Sequence, residues 1–296
     1  MASTSRSGHF FSLVTGRRDR DCLFARSRNM SDVGTGTPHL LDSTMETPLP
    51  GNSTTSNWLR YLLTDSALPT GGFVASSGLE SAYQSGLITN STSLSSFVAT
   101  SSHTFAHSTI GFVKAGWVIT SDGGIWKSTS ERIEALRELD DVCEATMVIN
   151  AVAKRASLAQ GVAMLTLYTK CFAGADGKLE KDELIKEWKN EIRAGRSYGH
   201  YSVCFGLVCS SLGVDTYDTL HMWLYLYART LFSSAVRLNI IGPYQAQRFL
   251  LDSKPYVESA LHKTQHMTVD DCCQTDPVLD VCQGLHDRLY SRLFNS

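Results

Sequence analysis

An apolar run at residues 58–63 is followed by Asp65-Ser66-Ala67-Leu68-Pro69-Thr70-Gly71-Gly72-Phe73, and this stretch dictates how the backbone must turn. Pro69 fixes its own φ and pushes Leu68 out of the helical region. Gly71-Gly72 supply the positive φ that a tight reversal needs. Ser77 then stands three residues before Glu80, the spacing of a capping box, so a new helix is expected to start at Ser77. The pattern predicts helix, sharp turn, helix.

Beyond that turn the apolar period is helical almost everywhere. Leu94, Phe97, Val98, Phe105 and Phe112 follow an i, i+3, i+4, i+7 stripe; Ile133, Leu136 and Leu139 open another; residues 147–167 form a third. Residues 180–194 read as an amphipathic helix burying Leu184, Ile185, Trp188 and Ile192. Residues 198–212 are apolar with small Gly199 and Gly206, the pattern of a close-packed central helix. Asp215 is placed to cap the next helix, which carries Leu220, Trp223, Leu224, Tyr227, Leu231 and Val236. Gly242-Pro243 stops that helix and starts another. Strand-like alternation is nearly absent, so the expected fold is all-α, a single domain of about eight to ten helices over residues 57–296, given typical helix lengths. Residues 1–56 hold 17 Ser or Thr and no periodic apolar face, and are expected to form a disordered extension.

Across 296 residues, 43% hydrophobic content suffices for a substantial core. A formal net charge of −2 gives no electrostatic case for nucleic acid, which leaves protein partners as the expectation. No apolar run is long enough to span a bilayer; residues 220–241 come nearest and are broken by Arg229 and Arg237. Eight scattered cysteines without a secretory segment point to reduced thiols in the cytoplasm. Six arginines against two acids in residues 1–28 give only a faint transit-peptide bias.

The chemistry-bearing patterns are incomplete. Gly123-Gly124-Ile125-Trp126-Lys127-Ser128 lacks the glycine before lysine that a phosphate loop requires, so no nucleotide hydrolysis is expected. Residues 175–183 imitate a calcium loop, but its first and third positions would be Phe172 and Gly174, which offer no side-chain oxygen. His103/His107 and His262/His266 share helix faces at i, i+4, near Cys272-Cys273 and Cys282 in number, yet no set completes a metal site. No nucleophile elbow occurs, and Cys204 and Cys209 read as small core residues. Arg237 interrupts an apolar face and is expected either to end a helix or to pair with an acid, Glu80 first, as an interface anchor.

Four patches in order carry a resemblance to a known family. The turn with Ser77-Gly78-Leu79-Glu80 resembles D-S-x-x-P-x-G-x-F followed by S-x-G-L-E; Lys154-Arg155-Ala156-Ser157 with Gln160-Gly161 resembles R-x-x-S-x-x-Q-G. Ala235-Val236-Arg237-Leu238 with Gly242-Pro243-Tyr244-Gln245-Ala246-Gln247 is similar to A-x-R-L-x-x-x-G-P-x-x-x-Q, and residues 286–294 match the C-terminal tail. These are the signatures of the urease accessory protein UreF, although Tyr198-Gly199-His200-Tyr201 departs from the proline-containing form of bacterial relatives. The resemblance implies an all-helical, non-catalytic adaptor without a cofactor. It would form a homodimer, bind UreD (UreH in some systems) and recruit the GTPase UreG, so that nickel reaches apo-urease. It also implies partner-binding positions: Asp65, Pro69, Gly71, Gly72 and Phe73 in the turn, Glu80, Arg237, and Arg288, Leu289, Tyr290, Arg292, Leu293 and Phe294 in the tail. The tail's i, i+1, i+4, i+5 spacing over residues 285–294 predicts a short docking helix. A direct nickel metallochaperone, or a metal-dependent hydrolase using the His and Cys pairs, are the competing readings.

Overall fold

A computed structural model describes residues 51–295 apart from 123–124, 127 and 175–178, with backbone only for 51–56. The expectations for residues 1–50, for the phosphate-loop-like glycines and for the start of the calcium-loop-like stretch lie outside the described residues. Among the described residues there are eleven α-helices and no strand. These are α1 (Gly51–Leu63), α2 (Leu79–Gln84), α3 (Ser91–Thr120), α4 (Thr129–Thr146), α5 (Ala151–Leu167) and α6 (Leu179–Arg193). The remainder are α7 (Tyr201–Ser211), α8 (Thr216–Arg237), α9 (Pro243–Asp252), α10 (Lys254–Thr264) and α11 (Pro277–Leu285). The count exceeds eight to ten because prolines in the first turns of α10 and α11 each open a separate short helix. The first helix starts at Gly51 rather than near Asn57.

The core forms around α3 and α7. Residues 202–211 of α7 are buried on every side, and a Cβ on Gly206 would lie 2.0 Å from the Val113 carbonyl oxygen of α3. Any side chain there would hold the two helices apart, so glycine lets their backbones touch. The predicted central helix starts at Tyr201 because the Asp140 carboxylate collects the amides of Tyr198, Gly199 and His200 at 2.7, 2.7 and 2.9 Å. Asp215 caps α8 as its sequence position requires, accepting from the Asp218 amide at 2.9 Å.

A second apolar cluster joins α2, the C-terminal half of α8, α9 and Cys282 of α11, and it includes Phe294 from the end of the chain. Among the described residues no helix is long and apolar enough to cross a membrane.

Candidate partner interface

The signature turn takes the predicted reversal with one glycine rather than two in the left-handed region: Gly71 has φ 73°. Asp65 accepts the Ala67 amide through its side chain at 2.9 Å, closing the first bend after α1. Arg229 of α8 holds that bend by donating to the carbonyls of Thr64 and Asp65. Ser77 does not cap α2. Its φ is 51°, Gly78 occupies the cap position without a side-chain hydrogen bond, and Glu80 turns inward instead.

Glu80 is 1% exposed and binds the far end of the chain. Its carboxylate accepts from the Leu293 amide at 2.7 Å, the Phe294 amide at 3.2 Å and His286 Nε2 at 3.1 Å. Those bonds overturn two expectations. The tail is not a helix: α11 ends at Leu285, a 3₁₀ turn covers His286–Arg288, and Leu289 is extended with φ −67° and ψ 138°. An intrahelical ladder would have used the same amides that Glu80 now takes. Nor does Glu80 pair with Arg237.

Arg237 donates to the carbonyl of Phe73, and its guanidinium lies 5.2 Å from the Phe73 ring centroid and 4.3 Å from that of Phe294. Burial lowers its pKa from the usual value, while the nearby Glu80 charge works in the opposite direction. The Asn295 amide donates to the Val74 carbonyl at 2.9 Å. Arg155 of α5 donates to both oxygens of Asp287 at 2.8 and 3.1 Å and to the Asn295 carbonyl at 3.2 Å, and Arg292 bonds Asp287 at 3.1 Å. Turn, α2, α5, the end of α8 and the tail are thereby tied into one surface, which brings together residues from all four sequence patches.

Burial sorts the predicted positions. Glu80 and Phe294 (3% exposed) face inward, and Gly71, Gly72 and Leu289 are half-buried. Asp65, Pro69, Phe73, Arg237, Arg288, Tyr290, Arg292 and Leu293 are exposed, Tyr290 fully and Leu293 at 66%. Arg155, His286 and Asp287 belong to the same surface and were not singled out as site residues. Each lies in a signature patch, which was the available signal.

Behind the turn lies a cavity of about 850 Å³, walled by residues that include Leu68, Phe105, Gln160, Trp223, Tyr227 and Leu250. Its lining is invisible to helical periodicity because eight helices contribute. Ser157 also lines it. The Ser157 hydroxyl lies 3.1 Å from His200 Nδ1, and His200 Nε2 lies 3.0 Å from Glu144. The series has the order of a nucleophilic relay, but Ser157 already accepts the Tyr201 amide at 3.1 Å and His200 is wholly buried. Burial works to raise Glu144, yet hydrogen bonds from Lys154 and His200 override it and hold the carboxylate below its ordinary range. The cluster secures the start of α7.

Burial pushes the thiols of Cys143, Cys204 and Cys209 far up and that of Cys272 up to about 11, away from the thiolate that metal ligation or attack requires. His107 spends Nδ1 on the His103 carbonyl at 2.8 Å. Among the described residues no three His, Cys, Asp or Glu side chains gather as a metal-ligand group.

A family model described as UreF matches residues 88–254. Urease accessory protein 6 of Cryptococcus neoformans var. grubii is 32% identical, covering 80% of this chain and 96% of the relative. Urease accessory protein F of Arabidopsis thaliana is 33% identical over 82% of this chain and 94% of its own. UreF of Paenarthrobacter aurescens is 29% identical, with 79% and 95% covered.

Proposed function

We propose that this chain, which belongs to the UreF family of urease accessory proteins, is a non-catalytic adaptor in urease maturation, docking other proteins on the surface built by its turn and C-terminal tail. The observation that carries the reading is the convergence of all four signature patches on that surface, with Glu80 and Phe294 buried beneath it and Phe73, Arg288, Tyr290 and Leu293 facing out. A patch that served only packing would have no reason to leave Tyr290, Leu293 and Phe73 in water. Tyrosine and arginine are also the residue types that most often dominate interface energy, and the tail carries Tyr290, Arg288 and Arg292 together.

In this reading the tail captures UreD (UreH), the assembled pair recruits UreG, and nickel passes to apo-urease as cargo rather than as a resident cofactor. The chain works as a homodimer in the cytoplasm. What its own residues contribute is geometric: Arg155, Glu80 and Arg237 hold the tail against the turn, so that one rigid face meets the partner.

Complementation tests the reading. A cell lacking its own UreF-family protein, supplied with this chain, should regain urease activity and urease-bound nickel. A variant with Tyr290→Ala and Leu293→Ala should regain neither, although its helical circular dichroism is intact. Full activity from that variant would refute the docking role.

A further inference from the structure

We propose that the corner where α5 ends against α6 docks an acidic amphipathic helix of another protein, which lays an apolar stripe along Val162 and Ala163 and sets its carboxylates against Lys170, Lys189 and Arg193. This surface is separate from the turn and tail and stands whether or not they take UreD: at the helical rise per residue, Lys170 lies roughly 20 Å along the α5 axis from Arg155. Residues 156–169 contain no charged side chain, although a helix on a protein surface ordinarily turns charged and polar groups outward. One face of α5 nevertheless meets water: Ala159 and Val162 are exposed, and Ala163, Thr166 and Thr169 are half-buried. Helical spacing puts Ala159, Val162, Ala163 and Thr166 in one row on that face.

The helix closes in a wider π turn over Tyr168–Phe172, with the Ala173 amide donating to the Tyr168 carbonyl at 3.0 Å. Three bonds fasten this turn to α6. The Tyr168 hydroxyl and the Gly174 amide donate to the two oxygens of Asp182 at 2.8 and 2.9 Å, and Lys189 Nζ donates to Thr169 Oγ1 at 3.1 Å. The last bond brings Lys189 beside Lys170, while Lys186, Lys189 and Arg193 share a face of α6 at i, i+3, i+7. Among the described residues no carboxylate forms an ion pair with any of these cations: Asp182 is taken by the turn, and Glu191 by Arg137 and Arg196. Burial holds Lys189 below the usual lysine value, and the charges of Arg193 and Lys170 push it further down. An uncharged helical face bordered by cations without acids is the complement of a helix whose apolar stripe is flanked by glutamate or aspartate. The stripe supplies the dry centre and the carboxylates the charged rim.

Exposed Cys171 lies in the π turn and reports on the site; exposed Cys273, between α10 and α11, is the internal control. The probe is a synthetic peptide of about 15 residues, long enough to form a helix, with Leu and Ala on one face and Glu on either side of it; a twin carries Lys in place of Glu. At about ten times its Kd for the full chain, the Glu peptide should slow thiol labelling of Cys171 by about ten-fold, while Cys273 labels at its original rate. The Lys peptide should do neither. Raising the salt from about 0.01 M to about 1 M shortens the screening length from about 30 Å to about 3 Å and should raise the Kd at least about ten-fold. Lys189→Glu with Arg193→Glu should weaken binding at least about ten-fold and flatten that salt dependence. Lys170→Glu, at an exposed position, should act in the same direction, so the test survives if the α6 variant misfolds. Val162→Arg adds a cation but obstructs the apolar stripe, and should weaken binding of the Glu peptide rather than strengthen it. Equal binding of the two peptides, an unchanged Kd in both charge-reversed chains, or tighter binding by Val162→Arg would overturn the proposal. So would protection of Cys171 by phosphatidylserine vesicles but not by the Glu peptide, which would assign the corner to a membrane. No arm of the experiment uses UreD, so a failure here is distinguishable from a failure of the adaptor reading.

Discussion

Arg237 lies between two rings, and the arrangement sets what its removal should cost. At exposed sites a guanidinium over an aromatic face contributes roughly 0.5–1 kcal/mol, and here two rings lie within range at 4.3 and 5.2 Å. A hydrogen bond from a charged donor contributes about 1.5–3 kcal/mol when buried. The bond to the Phe73 carbonyl is exposed and belongs near or below the lower end. Arg237→Ala should therefore destabilise the fold by about 2 kcal/mol, well short of the roughly 3–5 kcal/mol expected if it left Glu80 buried and unpaired. Glu80 has other partners, so no charge is stranded. Arg237→Lys keeps the charge but loses the flat stacking surface, and should cost about half as much. Urea unfolding followed by circular dichroism, compared at constant m, reads the difference. A loss below about 0.5 kcal/mol would mean that the stacking contributes nothing; a loss above about 4 kcal/mol would mean that Arg237 compensates a buried charge after all.

Gly161→Ala would set a Cβ 2.0 Å from the Gly199 carbonyl oxygen, a backbone atom that cannot swing away. It should cost about 2–3 kcal/mol, lowering Tm by roughly 5–10 °C for a chain of this size; an unchanged Tm would mean that α5 and the segment before α7 are less tightly apposed. Hydrogen bonds from Arg196 and Arg137 hold Glu191 down to about 2 from an unfolded value of 4.5, so its contribution is complete above pH 4.5 and is lost as pH falls towards 2. Glu191→Gln should flatten that acid limb, and an identical pH–stability curve would contradict the assignment. In the native protein at pH 8 a thiol reagent should modify exposed Cys171 and Cys273 promptly, whereas buried Cys143, Cys204 and Cys209 should react only after unfolding. Prompt labelling of Cys204 would show that α7 is not the sealed centre of the fold.

What was legible in the sequence follows the range of the forces involved. The amphipathic α6, the Asp215 cap and the proline start of α9 are set by neighbours within one helical turn, so spacing alone located them. Glu80 was legible as a signature residue but not as a clamp, because its tail partners lie more than 200 positions away. Its capping-box spacing to Ser77 was satisfied on paper, yet Ser77 and Gly78 both have positive φ and form a different entry to α2. The tail failed for the same reason: Leu289, Tyr290, Leu293 and Phe294 suit a helix by spacing, and a distant carboxylate takes the amides that helix would need. Arg237 was placed in the right neighbourhood with the wrong partner, because sequence offers acids as partners for a cation and is silent about ring faces. The cavity, whose wall gathers residues from eight helices, left no local trace.

Direct capture of the partner tests the central claim. The full chain, immobilised, should retain UreD from the same organism. Deletion of residues 289–296 should abolish retention while leaving a cooperative melt. Tyr290→Ala with Leu293→Ala, which touches neither the Glu80 bonds nor the buried Phe294 ring, should weaken it by at least about a hundred-fold, the scale of an interface hot spot. Retention of UreD at the original affinity by that double variant would contradict the account.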